Sequence, residues 1–445
     1  MQDQNIIFQM SAHSSAADIP RKERYIRYAL SISLFLYAFI CPVSKSATYF
    51  PLYTAVISAI FIWLEAQYRS LFLSELKWLF ILLLFLVSWQ SITIYINGNE
   101  IILSPVTRAL KLLLIFFLSG LPCDENWKIN TAKNTIITLF IVTSVIVILG
   151  IYQDISGIVY PFPIQPFSDG KLLGFFSHHI PAGGFFSILA VLSASFFLFW
   201  RTSIRIKIII GILFFILLSG TLLTLSRTYF ISLIITIPLI LLRKSLKVTT
   251  LSVIVLLLFI SITMIYSPSI KDRALSIFDL KNNPSNIERL YLWKVAIDMI
   301  KDHPVTGIGF KQWREKVSEY SSKYSSAWKF TSASLYHAHN VYLHVAAETG
   351  LVGLFFFLSF WLYLLYLTFH TAYIYSNDSF IRALNLGTSY ALINLLIGGL
   401  FEENFGTHSI IFLISFIIAL SFFVTNPKNI FNTRRTDGYV KDIDL

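Results

Sequence analysis

The sequence predicts an all-α integral membrane fold with about twelve transmembrane helices. Three observations carry this reading. Apolar residues make up 56% of the 445-residue chain and charged residues only 13%, against about a quarter in soluble folded chains. The apolar residues fall into uninterrupted blocks, many close to the roughly 20 residues that cross a bilayer. The connections between the blocks alternate in charge, as the positive-inside rule requires.

In chain order, the blocks lie near 27–44, 49–65, 78–96, 101–120, 134–152, 181–200, 206–224, 228–242, 249–266, 349–370, 383–401 and 408–425. A polar stretch of twenty or so residues and the basic run Arg21, Lys22, Arg24 and Arg27 precede the first block. No small-residue cleavage site follows that block, so it reads as a retained span, not a removed signal. One set of connections carries Arg69 and Lys77; Lys128 and Lys133; Arg201, Arg205 and Lys207; Arg243, Lys244 and Lys247; and Lys428, Arg434 and Arg435. The positive-inside rule assigns this set and both termini to the cytoplasm. The opposite set holds the turn Asn97-Gly98-Asn99-Glu100, the loop 154–180, the turn at Arg227, the long segment 267–348 and the turn Glu402-Glu403-Asn404. Every connection agrees with one orientation.

The expected layout is a cytoplasmic tail over 1–26, nine spans over 27–266, a large outer loop over 267–348, three spans over 349–425 and a cytoplasmic tail over 426–445. A net charge of +11 on a soluble domain would suggest nucleic acid. Spread between apolar blocks, it reads instead as topology signal and contact with anionic lipid. Cys41 and Cys123 have no metal-ligand or redox partner in the sequence, so no disulfide framework is indicated. No internal repeat is visible, which disfavours the inverted-repeat transporters.

The outer loop is the one soluble stretch large enough to shape a site. Within it, Ser285-Asn286-Ile287-Glu288 after Pro284 reads as a capping box opening a helix. Leu290, Trp293, Ile297 and Ile300 then recur at helical spacing until His303-Pro304, predicting a short amphipathic helix against the outer membrane surface.

Arg227 begins a span of about 15 residues, which covers about 22 Å of a hydrocarbon core about 30 Å thick. It is therefore recessed, facing a polar cavity or snorkelling to headgroup phosphates. Arg289 falls in the first turn of the expected loop helix, where amides and a guanidinium together favour an anion; a surface pair with Glu288 is the plainer alternative. His339 lies in Tyr336-His337-Ala338-His339-Asn340, and an imidazole is the side chain suited to act as a base near neutral pH. His337 is expected to point elsewhere, and His344 belongs to the next helix. Arg108 and Lys111 share one face of the fourth span, marking a candidate substrate path or a bound lipid phosphate. Adjacent Glu402 and Glu403 would not share a helix face, and Glu348 has no evident partner. The sequence holds no Gly-rich phosphate loop, no metal-spaced His or Cys cluster and no nucleophile elbow.

Arg289-Leu290-Tyr291-Leu292-Trp293-Lys294, continuing through His303-Pro304-Val305-Thr306-Gly307-Ile308-Gly309-Phe310, resembles the large periplasmic loop of the bacterial O-antigen ligases. His339-Asn340, nine residues, then Gly350-x-x-Gly353 is similar to that family's signature, as are Ser226-Arg227 and Gly174-Phe175-Phe176-Ser177-His178-His179. At this last stretch the family often has Asn, and a preceding basic residue is here Lys171. O-antigen polymerases and protein O-oligosaccharyltransferases share much of the pattern.

The resemblance implies an inner-membrane glycosyltransferase of the C type (GT-C). It would transfer O-antigen from undecaprenyl pyrophosphate to a lipid A–core sugar at the periplasmic face, with inversion and with neither metal nor other cofactor. It carries a catalytic role to His339 and a pyrophosphate-binding role to Arg227 and Arg289; Arg108, Lys111, His337 and Lys171 are read beside it as residues of a possible substrate path. The alternatives are an O-antigen polymerase of the same superfamily and, from another class, a lipid-linked oligosaccharide flippase or transporter.

Overall fold

The computed structural model describes residues 21–64, 76–98, 104–161, 165–279, 281–324 and 336–425. The polar stretch 1–20, Arg69, Asn99, Glu100, Lys428, Arg434 and Arg435 lie outside the described residues.

A helix occupies each segment read as a span: α1 (Arg21–Ile40), α2 (Tyr49–Leu64), α3 (Lys77–Ile96), a broken α4, α5 (Glu125–Ser156), α6 (His179–Phe199), α7 (Ile204–Leu223), α8 (Arg227–Leu241) and α9 (Leu246–Tyr266), then, after the large loop, α13 (Val341–Ile374), α14 (Ser379–Gly398) and α15 (His408–Phe423). The loop adds α10 (Pro268–Leu275), α11 (Pro284–Asp302) and α12 (Trp313–Ser321). Strands β1 (Phe167–Ser168) and β2 (Lys171–Leu172) form one small antiparallel hairpin. Among the described residues seven helices, α3, α5, α6, α7, α9, α13 and α14, are long and apolar enough to cross a membrane, and α2, α8 and α15 are shorter apolar helices.

Several boundaries differ from expectation for local reasons. α1 starts at Arg21, inside the segment expected as a tail, where Glu23 and Arg27 pair one turn apart. α5 starts well before its apolar block because Asp124 accepts the amides of Asn126 and Trp127 at 3.3 and 3.2 Å. Lys128 and Lys133 are therefore helical, and Lys128 is buried, its Nζ 3.4 Å from the Leu121 carbonyl. α4 consists of Ser104–Ala109, a 3-10 turn Leu110–Leu112 and Leu113–Leu118.

At the centre of the bundle, α6 and α14 are almost wholly buried, whereas α9 is nearly all exposed, as a lipid-facing helix would be. Small residues on α6, among them Gly183, Gly184, Ser187, Ser193 and Ser195, let neighbouring helices approach closely. Ser195 donates to the Ala383 carbonyl at 2.8 Å and Asn394 to Ser187 at 3.0 Å, joining α6 to α14 inside the apolar interior. At one end of the bundle Arg201, Lys207, Lys244 and Arg382 lie within one another's fields. The opposite ends of α6, α8 and α14 open onto His178, Arg227 and Glu402.

In the large loop, the capping box does not form. Asn283 is the N-cap and Pro284 the first helical residue, which suits its preset φ and missing N–H. The start moves upstream, Arg289 falls in the second turn, and the helix-terminus argument for it lapses. The buried stripe of α11 is Leu292, Val295, Ala296 and Met299, packed on Ile308, Trp313, Val317, Ala338 and Ala347. Leu290 and Ile297, on the expected stripe, are exposed instead.

A kink at Gly350 (φ 70°) interrupts α13 and frees carbonyls that the loop then satisfies. Ile308 and Gly309 donate to the carbonyls of Ala347 and Glu348, both at 2.9 Å, Leu351 donates to Pro304 at 2.8 Å, and Trp89 donates to Thr349 at 2.8 Å. Asn340 caps the helix start by accepting the amides of Tyr342 and Leu343, each at 3.0 Å. The His-Asn…Gly-x-x-Gly pattern thus encodes a capped, kinked helix on which the loop docks.

Candidate active site

Glu402, in the turn after α14 and only 3% exposed, is the hub of a polar cluster. His339 approaches it through Nδ1, 3.1 Å from Oε1 and 3.2 Å from Oε2. The Arg289 guanidinium lies 3.3 Å from Oε2 and His337 Nε2 lies 3.5 Å from Oε1. Burial alone would raise the Glu402 carboxyl, but His339 first, then His337 and Arg289, hold it well below the usual carboxylate range. Because an ionised carboxylate only accepts, the His339 Nδ1 carries the hydrogen toward it and Nε2 is left with its lone pair.

His337 does not point elsewhere. His339 adopts a positive φ of 51°, which folds the chain back so that the two imidazole centroids are 4.2 Å apart. The His339 amide donates to His337 Nδ1 at 3.3 Å, so the remaining His337 proton faces Glu402. Burial pushes His337 down to about 4 against the opposing pull of Glu402, which keeps it neutral near pH 7. His178, the N-cap of α6, is within the fields of Glu402, His339 and Lys171; burial, then Lys171, lowers its pKa.

Arg227 is 4% exposed at the first position of α8. It donates to the carbonyl and hydroxyl of Ser276 at 3.2 and 3.4 Å, while its second terminal nitrogen is buried without a partner. The Ser276 carbonyl also accepts from Asn286 on α11 at 3.0 Å, tying Arg227 to the helix that carries Arg289. Arg289 Nε is likewise buried and unpartnered. A third guanidinium, Arg273 on α10, donates to the Leu225 carbonyl at 2.9 Å, and Leu225 itself sits at φ 54°. Burial and then Arg289 lower the Arg273 pKa, and both Arg273 and Arg289 lie within the field of Arg227. Three arginines thus lie within one another's fields, and among the described residues the acid paired with any of them is Glu402, beside Arg289 and already engaged by two imidazoles. The cluster carries uncompensated positive charge and donors with no acceptor, a setting for a dianion.

Arg108 and Lys111 do not join this cluster. The Arg108 guanidinium sits over the Phe310 ring at 4.9 Å, and the buried Lys111 ammonium lies 5.8 Å from the Phe412 ring centre. Glu403 points away from Glu402 into the field of Arg108 and Glu348; burial pushes its carboxyl up to about 8. Glu348 accepts the Trp313 amide at 3.2 Å and faces His344 Nε2 at 3.6 Å. Lys171 reaches the site only through its field on His178 and His179.

Sequence spacing shows no metal cluster, yet folding brings ligand atoms of His337, His339 and Glu402 within 4.8 Å of one another, a group able to hold a metal ion. Arg289 at 3.3 Å from the same carboxylate opposes a cation there electrostatically.

No curated protein matches the chain. The family model described as O-antigen ligase matches residues 212–358, about a third of the chain and the segment that carries Arg227, Arg273, Arg289, His337 and His339, so this part of the chain is similar to the O-antigen ligase/polymerase superfamily.

Proposed function

We propose that the protein is an O-antigen ligase that transfers the polysaccharide from undecaprenyl pyrophosphate to a lipid A–core sugar. In this reading it is a twelve-span inner-membrane glycosyltransferase of the C type, with the His339 end of the bundle in the periplasm and both termini in the cytoplasm. The observation that carries it is the His339–Glu402 pair, which leaves Nε2 free in a cluster where Arg227 and Arg289 each bury one nitrogen without an acceptor.

The acceptor hydroxyl loses its proton to His339 Nε2 as its oxygen bonds to the anomeric carbon. Glu402 stabilises the imidazolium and fixes the ring, the role an acidic residue plays behind a catalytic histidine elsewhere. The bond from the anomeric carbon to the phosphate oxygen breaks, its electron pair leaves on the diphosphate, and attack from the opposite face inverts the centre. Arg227, Arg289 and Arg273 receive that charge with donors already in place. The guanidinium groups supply the neutralisation that a divalent metal gives in other transferases, so the reading is metal-independent. In a second reading His337, His339 and Glu402 would be the residues to hold a divalent cation, which would supply charge neutralisation for the leaving diphosphate.

The test is lipopolysaccharide from a deletion strain complemented with wild type, His339→Ala, Arg227→Ala and Arg289→Ala. A ligase gives bare core in the deletion and in each variant, whereas core bearing a single repeat unit assigns a polymerase. Near-normal lipopolysaccharide with His339→Ala removes the base. Joining of donor to lipid A–core by purified protein in detergent, without a gradient, excludes a transporter. Loss of that activity on chelation, with restoration by a divalent ion, selects the metal reading.

A further inference from the structure

A second pocket of about 360 Å³ lies on the far side of the two segments that frame the His339 site. It is lined by Ser44 and Lys45 between α1 and α2, by Ser177 beside His178, and by Thr407, His408 and Ser409 at the start of α15. Ser177 and Thr407 therefore face this pocket, while His178 and Glu402, on the same segments, face His339.

Three features make the pocket an anion site. First, Thr407 is the N-cap of α15 but its side chain bonds no amide, so the first-turn N–H groups are left uncapped at the positive end of the helix dipole. Second, Lys111 is 4% exposed and has neither a hydrogen-bond acceptor nor an ion-pair partner among the described residues. Its ammonium rests against Phe412, one turn beyond His408. A buried ammonium without a counter-ion is costly. Third, His408 lies within the fields of Lys111, Arg108, Lys45 and Lys311, so basic groups from three separate segments converge on it. The facing acids are Glu348 and Glu403, and burial keeps the Glu403 carboxyl protonated near neutral pH.

We propose that this pocket binds a phosphoryl group, separately from the arginine cluster, and that its source is a phosphate on the glycolipid acceptor. The assignment of source rests on the ligase reading, whereas the phosphoryl site itself does not. A phosphate held by Lys45, His408 and the α15 amides, within the field of Lys111 behind the lining, would bring an acceptor sugar alongside the segments that carry His178 and Glu402. An anionic phospholipid headgroup offers the same chemistry and is the other source.

The experiment uses the full-length protein in nanodiscs and reads binding, not transfer. Lipid A–core, intact or with its phosphates removed enzymatically, is titrated against wild type, Lys45→Glu, His408→Ala and Lys111→Met. The expected result is that each variant weakens intact lipid A–core about tenfold, the scale of one charge-assisted contact, and leaves the dephosphorylated form unchanged. Lys45 and His408 are exposed, so their variants keep the test independent of any folding defect at Lys111. Native mass spectrometry of co-purified phospholipid forms the second arm. Loss of retained anionic phospholipid, with acceptor binding unchanged, supports the phosphoryl site and assigns it to membrane lipid. Unchanged binding in both arms overturns it. If the variants weaken only intact lipid A–core but wild type transfers nothing in a separate activity assay, the ligase reading fails and the phosphoryl site stands.

Discussion

The Glu402 carboxylate holds His339 by Nδ1 at 3.1 Å although the two residues are 63 positions apart, on opposite sides of two transmembrane helices. In the proposed reaction the pairing orients a histidine of the loop as the base, because the nitrogen on the far side of the ring is the one left to accept a proton. Glu402→Gln keeps the size of the side chain but removes the charge that stabilises the imidazolium. Transfer should fall on the order of 10²–10⁴-fold. His339→Ala combined with Glu402→Gln should be no worse than His339→Ala alone, since the two act as one unit. Additive losses in the double variant would show that Glu402 works by another route.

Arg273 should matter for both catalysis and stability, in opposite directions. Without donor, three neighbouring guanidinium groups repel one another, and Arg273 is held by one carbonyl. Arg273→Gln should therefore raise the thermal midpoint of the free protein while lowering transfer by about tenfold or more. Arg273→Lys should recover part of the activity but not the two-pronged geometry. A lower midpoint together with unchanged transfer would show that the arginine is only structural.

Much of this was legible in the sequence because the bilayer imposes simple rules. Apolar blocks located the helices, and alternating charge separated the Lys244 end of the bundle from the Arg227 end. Arg227, Arg289 and His339 stood out as cations or a base at the edge of apolar blocks. Glu402 did not, since an acid in a short turn has no local signature and its partner is set by how α13 meets α14. Arg273 looked like one more basic residue in a polar loop. His337 was assigned the wrong direction because the positive φ at His339 follows from docking, not from local preference. The start of α11 was misplaced because Pro284 at the first helical position outweighed a Ser-x-x-Glu pattern that begins one residue later.

Two buried groups should give stability opposite dependences on pH. For Glu403 the carboxyl rises from 4.5 to about 8, so its contribution is full below pH 4.5 and is lost as pH climbs through 8. For His337 the imidazole falls from 6.5 to about 4, so its contribution is full above pH 6.5 and is lost as pH drops toward 4. Glu403→Gln should raise the melting midpoint at pH 8.5 and leave it nearly unchanged at pH 4.5, whereas His337→Asn should flatten the loss between pH 6.5 and 4. Differential scanning fluorimetry across that range reads both, and parallel curves for wild type and variants would count against these shifts.

Gly350 is where helix α13 and the large loop depend on each other most directly. Its φ of 70° with ψ of −179° belongs to a region that only glycine occupies at low cost. A Cβ there would also run into the Val305 carbonyl, which follows the Pro304 whose carbonyl accepts the Leu351 amide. Gly350→Ala must either straighten α13 or push the 304–309 segment away. Either response withdraws the acceptors used by Ile308 and Gly309 and loosens α11, which carries Arg289. The variant should lose about 1–3 kcal/mol from backbone strain alone, with transfer falling along with the midpoint. Leu351→Ala, at a position 53% exposed, removes more side-chain volume without touching that backbone and should change neither. Measured side by side, a Gly350→Ala protein as stable and active as Leu351→Ala would mean that the kink does not organise the site.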